Sequence, residues 1–521
     1  MLITQQLASI ANKNLIRPAI RYLGKEMNYG ELRTAIARLS YLYQNEIGQN
    51  GRVAFITRNS PATIITFFAL TNTRSVIIPI DPDRSPEEII AWLKDSKATH
   101  VAVTNDLINQ TREILLSARM SLPIVEIEKK HGGEYDTSFT ASTEHQPLET
   151  DTVLLLRTAG LTGKPHLAAF THKQLNHATT CLRSLYHVNL SDRFMTKLNW
   201  AHPFAFLHGM LFPLMSGATC VIDHGLDTTA LLQFFIESRV NRLLGNPLFF
   251  HKLLVTCRNE NRLLTGIKSI TVAGGLLPRE EARIYERMRC AVTHCYGQTE
   301  NLWTISMQDT AREEPTHQKG KEQVVTLDDD YGAQKPLPGM KYKVLDANGD
   351  LIEGNDLRTG YLAVMGPTVM SGYQSSEKGI EKETKSKIRG TWLYTGDVAR
   401  LEGDGEELKI TIIGRKDDLL QAGNEYISMD EVTDALKRVH GVEDAAAFVV
   451  KRVKGDFVIA GAVVKATGGS LNEKQIIESC AKNLYPEQVP KVIVFTDFIP
   501  RDFGGNPHYG RLSAQFEGVA G

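Results

Sequence analysis

The chain has 521 residues, with 59 Lys and Arg against 60 Asp and Glu, a formal charge of −1, and 42% hydrophobic residues. Such a length exceeds what one hydrophobic core fills, so at least two domains are expected. Balanced charge gives no general pull towards nucleic acid or an anionic membrane, local basic patches aside, and no nucleic-acid partner is expected.

From the amino terminus, LITQQLASIANK lacks the basic start and long apolar run of a secretory leader. No apolar run reaches the roughly 18 residues of a membrane span. Six cysteines, Cys181, Cys220, Cys257, Cys290, Cys295 and Cys480, form no CxxC pair, which suits neither a zinc site nor a disulfide framework. They read as isolated, mostly buried thiols of a cytoplasmic protein.

The first half alternates short apolar runs (Val53–Ile56, Val76–Ile80, His100–Thr104, Leu155–Arg157) with helical patterns over Ser60–Thr73 and Ser85–Ser96. Ser85 reads as an N-cap, followed by Pro86 and the acidic first turn of Glu87 and Glu88. This alternation predicts an α/β fold of layered parallel sheets covered by helices. Residues 311–325 are polar and charged and read as a solvated loop. Past Asp397 the pattern changes. A hairpin with a Gly-Asp-Gly turn and a strand ending at Gly414 precede a helix (Asp430–His440), strands (Ala445–Val450, Phe457–Val464), a helix (Leu471–Leu484) and a strand (Val492–Phe495). That is a small α+β domain, predicted to occupy residues 414–521 behind a large domain of residues 1–413.

Several segments carry chemistry. RTAGLTGKPHLAAFTH (157–172) is a strand running into a loop with glycines and hydroxyls, suited to phosphate oxygens. It is not the common NTPase P-loop, because Lys164 is followed by Pro165 and Gly160 and Gly163 lie too close together. Further on come HPFAFLHGM (202–210), LLGNP (243–247), VAGGLLP (272–278) and YGQTE (296–300). YGAQKPLPGMKYKVLD (331–346), GYLAVMGPTVMSGY (360–373), WLYTGD (392–397) and GRKDDLLQAGNEYISMDEV (414–432) follow.

These segments, in this order, resemble the adenylate-forming ligase superfamily, and its acyl-CoA synthetase branch in particular. The resemblance runs from Tyr29-Gly30-Glu31-Leu32 to Pro500-Arg501. It implies a large AMP-binding domain with a small mobile lid hinged at Asp417. Thr158, Thr162, Gly163, Gly275, Tyr296, Asp397 and Arg415 would bind the nucleotide, and Asp397 suits the ribose diol because a carboxylate accepts two hydrogen bonds. Thr299 would hold phosphate and Glu300 a magnesium ion. Phe206, His208 and Gly274 would border the acyl pocket. The implied cofactors are ATP, Mg²⁺ and coenzyme A or phosphopantetheine, and the partners are a carboxylic acid and coenzyme A or an acyl carrier protein.

The sequence leaves the family pattern near the phosphates. Ala159 and Leu161 replace loop hydroxyls, His166 replaces a Lys, Tyr361 replaces a Glu, and Asn506 stands where the family's last Lys falls, with His508 and Arg511 nearby. His166 and Asn506 therefore join the candidate catalytic residues. Losing one preorganised charge commonly costs about 10²–10³ in rate. Two readings remain at this point: an acid–thiol ligase, or a catalytically degenerate adenylation-fold protein that binds a carrier protein or partner enzyme.

Overall fold

The computed structural model describes all residues except 48–50, 128, 132–133, 137–150, 159–163, 309–331, 355, 376–378, 417–418, 423–424, 452–456, 467–470, 502–506 and 517–521. The polar stretch 311–325 and the candidates Thr162, Gly163, Asp417 and Asn506 thus lie outside the described residues, as do Ala159 and Leu161. Two compact units emerge: Met1–Thr158 with His166–Lys341 and Met365–Leu393, and Ala159–Pro165 with Tyr342–Val364 and Tyr394–Gly521.

The first unit holds two large sheets. One has seven strands in the order Gly372–Gln374, Leu167–Thr171, Thr152–Arg157, Val76–Ile80, Arg52–Ile56, His100–Val103 and Ile124–Glu126. Its last five strands run parallel, and Leu167–Thr171 and Gly372–Gln374 add antiparallel pairs at one edge. The central strands are buried on both faces, as Val76–Ile80 is throughout, which is why they read as continuous apolar runs rather than alternating ones. Helix Pro61–Asn72 is buried from Pro61 to Thr71, so its residues are apolar or small on every side. Ser60 caps it by accepting from the Thr63 amide, and Ser85 caps Pro86–Asp95 in a capping box with Glu88.

The other sheet has nine strands, with Ala291–Tyr296, Ser269–Ala273, Arg242–Gly245, Arg193–Thr196, Thr219–Ile222 and Pro18–Tyr22 parallel in that order. Helices Thr228–Ser238, Pro247–Asn259 and Arg279–Arg287 cover one face through Phe235, Phe250, Leu253 and Tyr285. The buried Tyr285 hydroxyl donates to the Phe250 carbonyl at 2.7 Å, so the ring packs without an orphaned polar group. The expected α/β class of layered sheets and helices is therefore the fold.

In the second unit, strands Lys341–Leu345, Arg358–Met365, Trp392–Glu402 and Lys409–Arg415 are sheet neighbours in that order. The hairpin turns where expected, with Gly403 and Gly405 at φ +73° and +60°. A three-stranded sheet of Val442–Lys451, Phe457–Lys465 and Val492–Phe495 follows, covered by helices Met429–Lys437, Glu473–Cys480 and Tyr509–Gln515. One face packs on Val432, Leu436 and Ile476, the other on Leu512. The helix expected over Leu471–Leu484 is shorter, because Asn472 and Gln475 form a capping box that fixes its start and the helical ladder stops at Cys480. All six cysteines are buried and free. Among the described residues no helix is long and apolar enough to cross a membrane.

Candidate active site

The candidate residues of the first unit sit where its parallel strands end. Strand Ser269–Ala273 runs out into Gly274 and Gly275, and Ala291–Tyr296 into the YGQTE loop. Gly274 turns at φ +88°, a backbone angle that side chains with a Cβ rarely adopt. Gly297 is required for a different reason: a Cβ there would lie 2.2 Å from the Trp303 Cα. The loop folds back on itself that tightly. Leu302 and Trp303 both take left-handed angles, at φ +58° and +56°. Such geometry persists only where neighbours enforce it. Here the Trp303 amide donates to the Gln298 carbonyl at 2.9 Å, and the Gln298 amide to Asn301 Oδ1 at 3.0 Å.

Two buried histidines hold these loops from behind. His208 lies on the wide-turned π-helical segment Ala205–Leu211. Its Nε2 is 3.1 Å from the Trp303 carbonyl, which can only accept, so Nε2 carries the proton. Nδ1 then accepts from the Tyr186 hydroxyl at 2.9 Å. Burial lowers the His208 pKa to about 3, against the pull of the Trp303 carbonyl, which favours the charged form. His294 has the opposite tautomer. Its Nε2 accepts from the Leu277 amide at 3.1 Å, and Nδ1–H donates to Gln308 Oε1 at 3.0 Å. Burial lowers it to about 4. His294 thereby ties the Gly274–Leu277 turn to the strand that delivers Tyr296.

In front, Glu300 is buried to 7% exposure, with Tyr296 and Thr299 half-buried beside it. Tyr373 donates its hydroxyl to Glu300 Oε1 at 2.6 Å. Burial and then the Glu300 charge push the Tyr373 pKa up, so the hydroxyl keeps its proton. Lys387, the last residue of helix Ile380–Lys387, places Nζ 3.9 Å from the same oxygen. The imidazole of His166 stacks on Tyr373 with ring centroids 4.8 Å apart. His166 is itself fixed to Thr158 by two bonds of 2.9 Å, from its own amide to Thr158 Oγ1 and from the Thr158 amide to its carbonyl. Thr158 and His166 are thus neighbours, and His166, Glu300 and Tyr373 form one contiguous cluster.

Phe206 packs edge-on against Phe67 at 5.2 Å and lines an apolar cavity with Phe67, Ile77, Trp200 and Met210. The cavity is small, about 20 Å³, and partly open to solvent. His208 and Gly274 do not line it. Within the second unit, Asp397 and Arg415 face each other across an antiparallel pair, with Arg415 Nε 3.6 Å from Asp397 Oδ1. Asp397 is 4% exposed, and its amide donates to Thr395 Oγ1 at 3.1 Å. His508 caps helix Tyr509–Gln515 by accepting from the Arg511 amide, and Arg501 clasps Asp444 through two contacts of 2.6 and 2.7 Å.

Sequence reasoning assigned no role to Tyr373, Lys387, His294 or Gln308. Tyr373 closes a quoted motif, so a signal existed. His294 stands two residues before Tyr296, on the strand leading into YGQTE, and only tertiary contact reveals its part.

Loops gathered at the carboxyl ends of parallel strands are where α/β proteins bind nucleotides and other ligands. The chain belongs to the AMP-binding enzyme family, whose model matches residues 7–374. It is similar to the feruloyl-CoA synthase of an Amycolatopsis species, 25% identical over 501 residues and 96% of each chain. It is similar to the oxalate–CoA ligase of Arabidopsis thaliana, 24% identical over 96% of this chain and 95% of the relative. Among solved structures it resembles ATP-bound MatB from Rhodopseudomonas palustris, with a TM-score of 0.80, 20% identity and 100% of both chains covered. The family resemblance carried by the motifs is borne out.

Proposed function

We propose that this chain joins a carboxylic acid to a thiol in two steps, with the cluster around Glu300 at the phosphate end of its nucleotide site. The chain is an adenylate-forming acid–CoA ligase. A carboxylate oxygen attacks the α-phosphorus of ATP, the bond to the β-phosphate oxygen breaks, and acyl-AMP and pyrophosphate result. The thiol sulfur then attacks the acyl carbon, the thiol proton is lost, the bond from that carbon to the bridging oxygen breaks, and AMP leaves with that oxygen.

Glu300 carries this reading, because a buried carboxylate fixed by Tyr373 on a strand-end loop is a prepared polar group rather than a surface charge. A magnesium ion keeps most of its ligands from phosphates and water and needs only one or two carboxylates from a protein. Glu300 would be such a ligand, and the ion's chemistry is to screen phosphate charge. Thr158 and Thr299 contact phosphates, Gly275 and Tyr296 form the adenine side, Asp397 with Arg415 serves the ribose, and Gly274 borders the acyl group. Thr162, Gly163 and Asn506 belong to the same proposal through the family resemblance. The acyl group lies against Phe206, and the apolar cavity there favours an apolar or aromatic acid. His208 shares the π-helical segment of Phe206 but bonds the Trp303 carbonyl and does not line that cavity.

Residues 414–521 are proposed as the mobile lid, hinged at Asp417 just past the strand that ends at Arg415. Asp417→Pro should slow thioester formation while sparing adenylation. Equal loss in both half-reactions would remove the hinge assignment. Coenzyme A is the proposed acceptor, as in the names of the relatives above. A phosphopantetheinylated carrier protein is the acceptor to test against it. Both suit a cytoplasmic enzyme, as do six unpaired cysteines.

The deciding experiment is ATP–pyrophosphate exchange with a panel of aliphatic and aromatic acids. Exchange above background that falls by about 10²–10³ in Glu300→Ala is expected. A folded protein that exchanges with no acid and forms no thioester would overturn the reading.

A further inference from the structure

We propose that Lys387 is the resident counter-cation of the phosphate end, and that it supplies the part of nucleotide affinity that needs no magnesium. The proposal rests on the reading of Glu300 just given. Lys387 closes helix Ile380–Lys387, whose last turn also contains Lys385. A cation at a helix carboxyl end is favoured by the macrodipole alone. That accounts for Lys385, which is exposed. It does not account for the placement of Lys387, whose side chain is only 24% exposed and which sets Nζ 3.9 Å from Glu300 Oε1. The distance is beyond hydrogen-bond length, so this is a charge pairing rather than a donor–acceptor bond.

The chemistry of the surroundings gives the pairing its use. Glu300 is almost wholly buried and already accepts the Tyr373 hydroxyl. Its negative charge stands where a triphosphate, more negative still, must approach. Like charges at close range in a partly desolvated site repel strongly. A metal ion arriving with the nucleotide would cancel the repulsion, and before it does, Lys387 is, among the described residues, the ammonium paired with that carboxylate. The neighbouring ring systems, Tyr373 and the stacked His166, contribute a hydroxyl and an imidazole rather than a permanent cation. Lys387 therefore lets ATP enter without metal and shares the phosphate charge once metal is present.

The test is calorimetric titration of ATP into the full-length protein, in EDTA and again in excess Mg²⁺, for the native chain, Lys387→Met, Lys387→Arg and Lys385→Met. In EDTA, Lys387→Met should weaken ATP about tenfold, and Lys387→Arg should stay within about twofold of native. In Mg²⁺ the loss in Lys387→Met should shrink to under about threefold, because the metal takes over the screening. Lys385→Met should change neither affinity. An unchanged Lys387→Met, an equal loss in both buffers, tighter binding in EDTA, or a matching loss in Lys385→Met would each overturn the proposal. Thermal unfolding of each variant separates folding defects from these outcomes, because a purely structural role moves the melting temperature without splitting EDTA from Mg²⁺. If the native chain binds no ATP in either buffer, the reading of the nucleotide site falls, and this inference falls with it. If the native chain binds and Lys387→Met matches it, only this inference falls.

Discussion

Behind the loops that leave strands Ser269–Ala273 and Ala291–Tyr296 stand two fully buried histidines, His208 and His294; in front of them stands a half-buried one, His166. The rear pair are neutral, each with one nitrogen donating and the other accepting; one partner of each is a backbone group of the loops (the Trp303 carbonyl, the Leu277 amide) and the other a side chain (Tyr186, Gln308). The front histidine stacks on Tyr373 beside the charged Glu300–Lys387 pair. One residue type thus does two kinds of work. Buried in low dielectric, it is a fixed connector with a defined tautomer. At the rim, it is part of a polar surface that faces charge. The loops are held rigidly from the back so that their front can present charge without reorganising, which is where electrostatic catalysis draws its strength.

The largest effect should come from breaking the fold of the loop that separates back from front. In Gly297→Ala the new methyl would meet the Trp303 backbone at 2.2 Å, and backbone has no rotamer with which to retreat. Activity should fall more than about 100-fold with a lowered melting temperature. Near-native activity would mean that the tight turn is not needed. Next comes the front. Tyr373→Phe removes a hydroxyl donated to a buried carboxylate, an interaction type worth about 1.5–3 kcal/mol. Pyrophosphate exchange should drop by about tenfold or more, with a lowered melting temperature. Behind, His294→Phe strands the buried Leu277 amide, at a cost of about 1–3 kcal/mol. The Gly274–Leu277 turn should loosen, raising KM for ATP by about five- to tenfold with little change in kcat. An equal fall in kcat would place His294 nearer the reaction than the structure does.

The front of this comparison was legible in the sequence and the back was not. Glu300, Thr299 and Tyr296 sit in one short segment whose residue types announce polar chemistry. The strands were equally plain, since Val76–Ile80 and Val53–Ile56 are apolar and β-branched over their whole length and can hide nowhere but inside a sheet. His208, by contrast, looks from sequence like one more site residue beside Phe206. Its partner Tyr186 lies 22 positions away and its other partner, Trp303, 95. No periodicity encodes such contacts. Lys387 hides for a related reason: in sequence it is one of three lysines in a charged helix, and only the chain's path distinguishes it from the exposed Lys385. Helix Leu471–Leu484 was read too long because its apolar spacing continues past the point where the ladder stops.

The smallest effect concerns acid. His208 is neutral in the fold with a pKa near 3, whereas an unfolded histidine titrates near 6.5. Between those values the unfolded chain binds a proton that the native chain refuses, so stability must fall as pH drops below about 6.5, by about 1.4 kcal/mol per pH unit for this one group. The loss levels off only below the folded value. Burial lowers His294 to about 4 as well, so the native protein should lose stability with more than one proton's slope. His208→Gln separates them. The amide can still donate to the Trp303 carbonyl and accept from Tyr186, yet it does not titrate in this range. Its stability at pH 7.5 will differ from native for packing reasons, and that difference is not the test. The test is the change in urea unfolding free energy between pH 7.5 and 5.5, which should be smaller in His208→Gln than in the native chain by about 1.4 kcal/mol. Identical pH dependence would mean that His208 takes up its proton inside the fold, and the rear of the loops would then be as adaptable as the front.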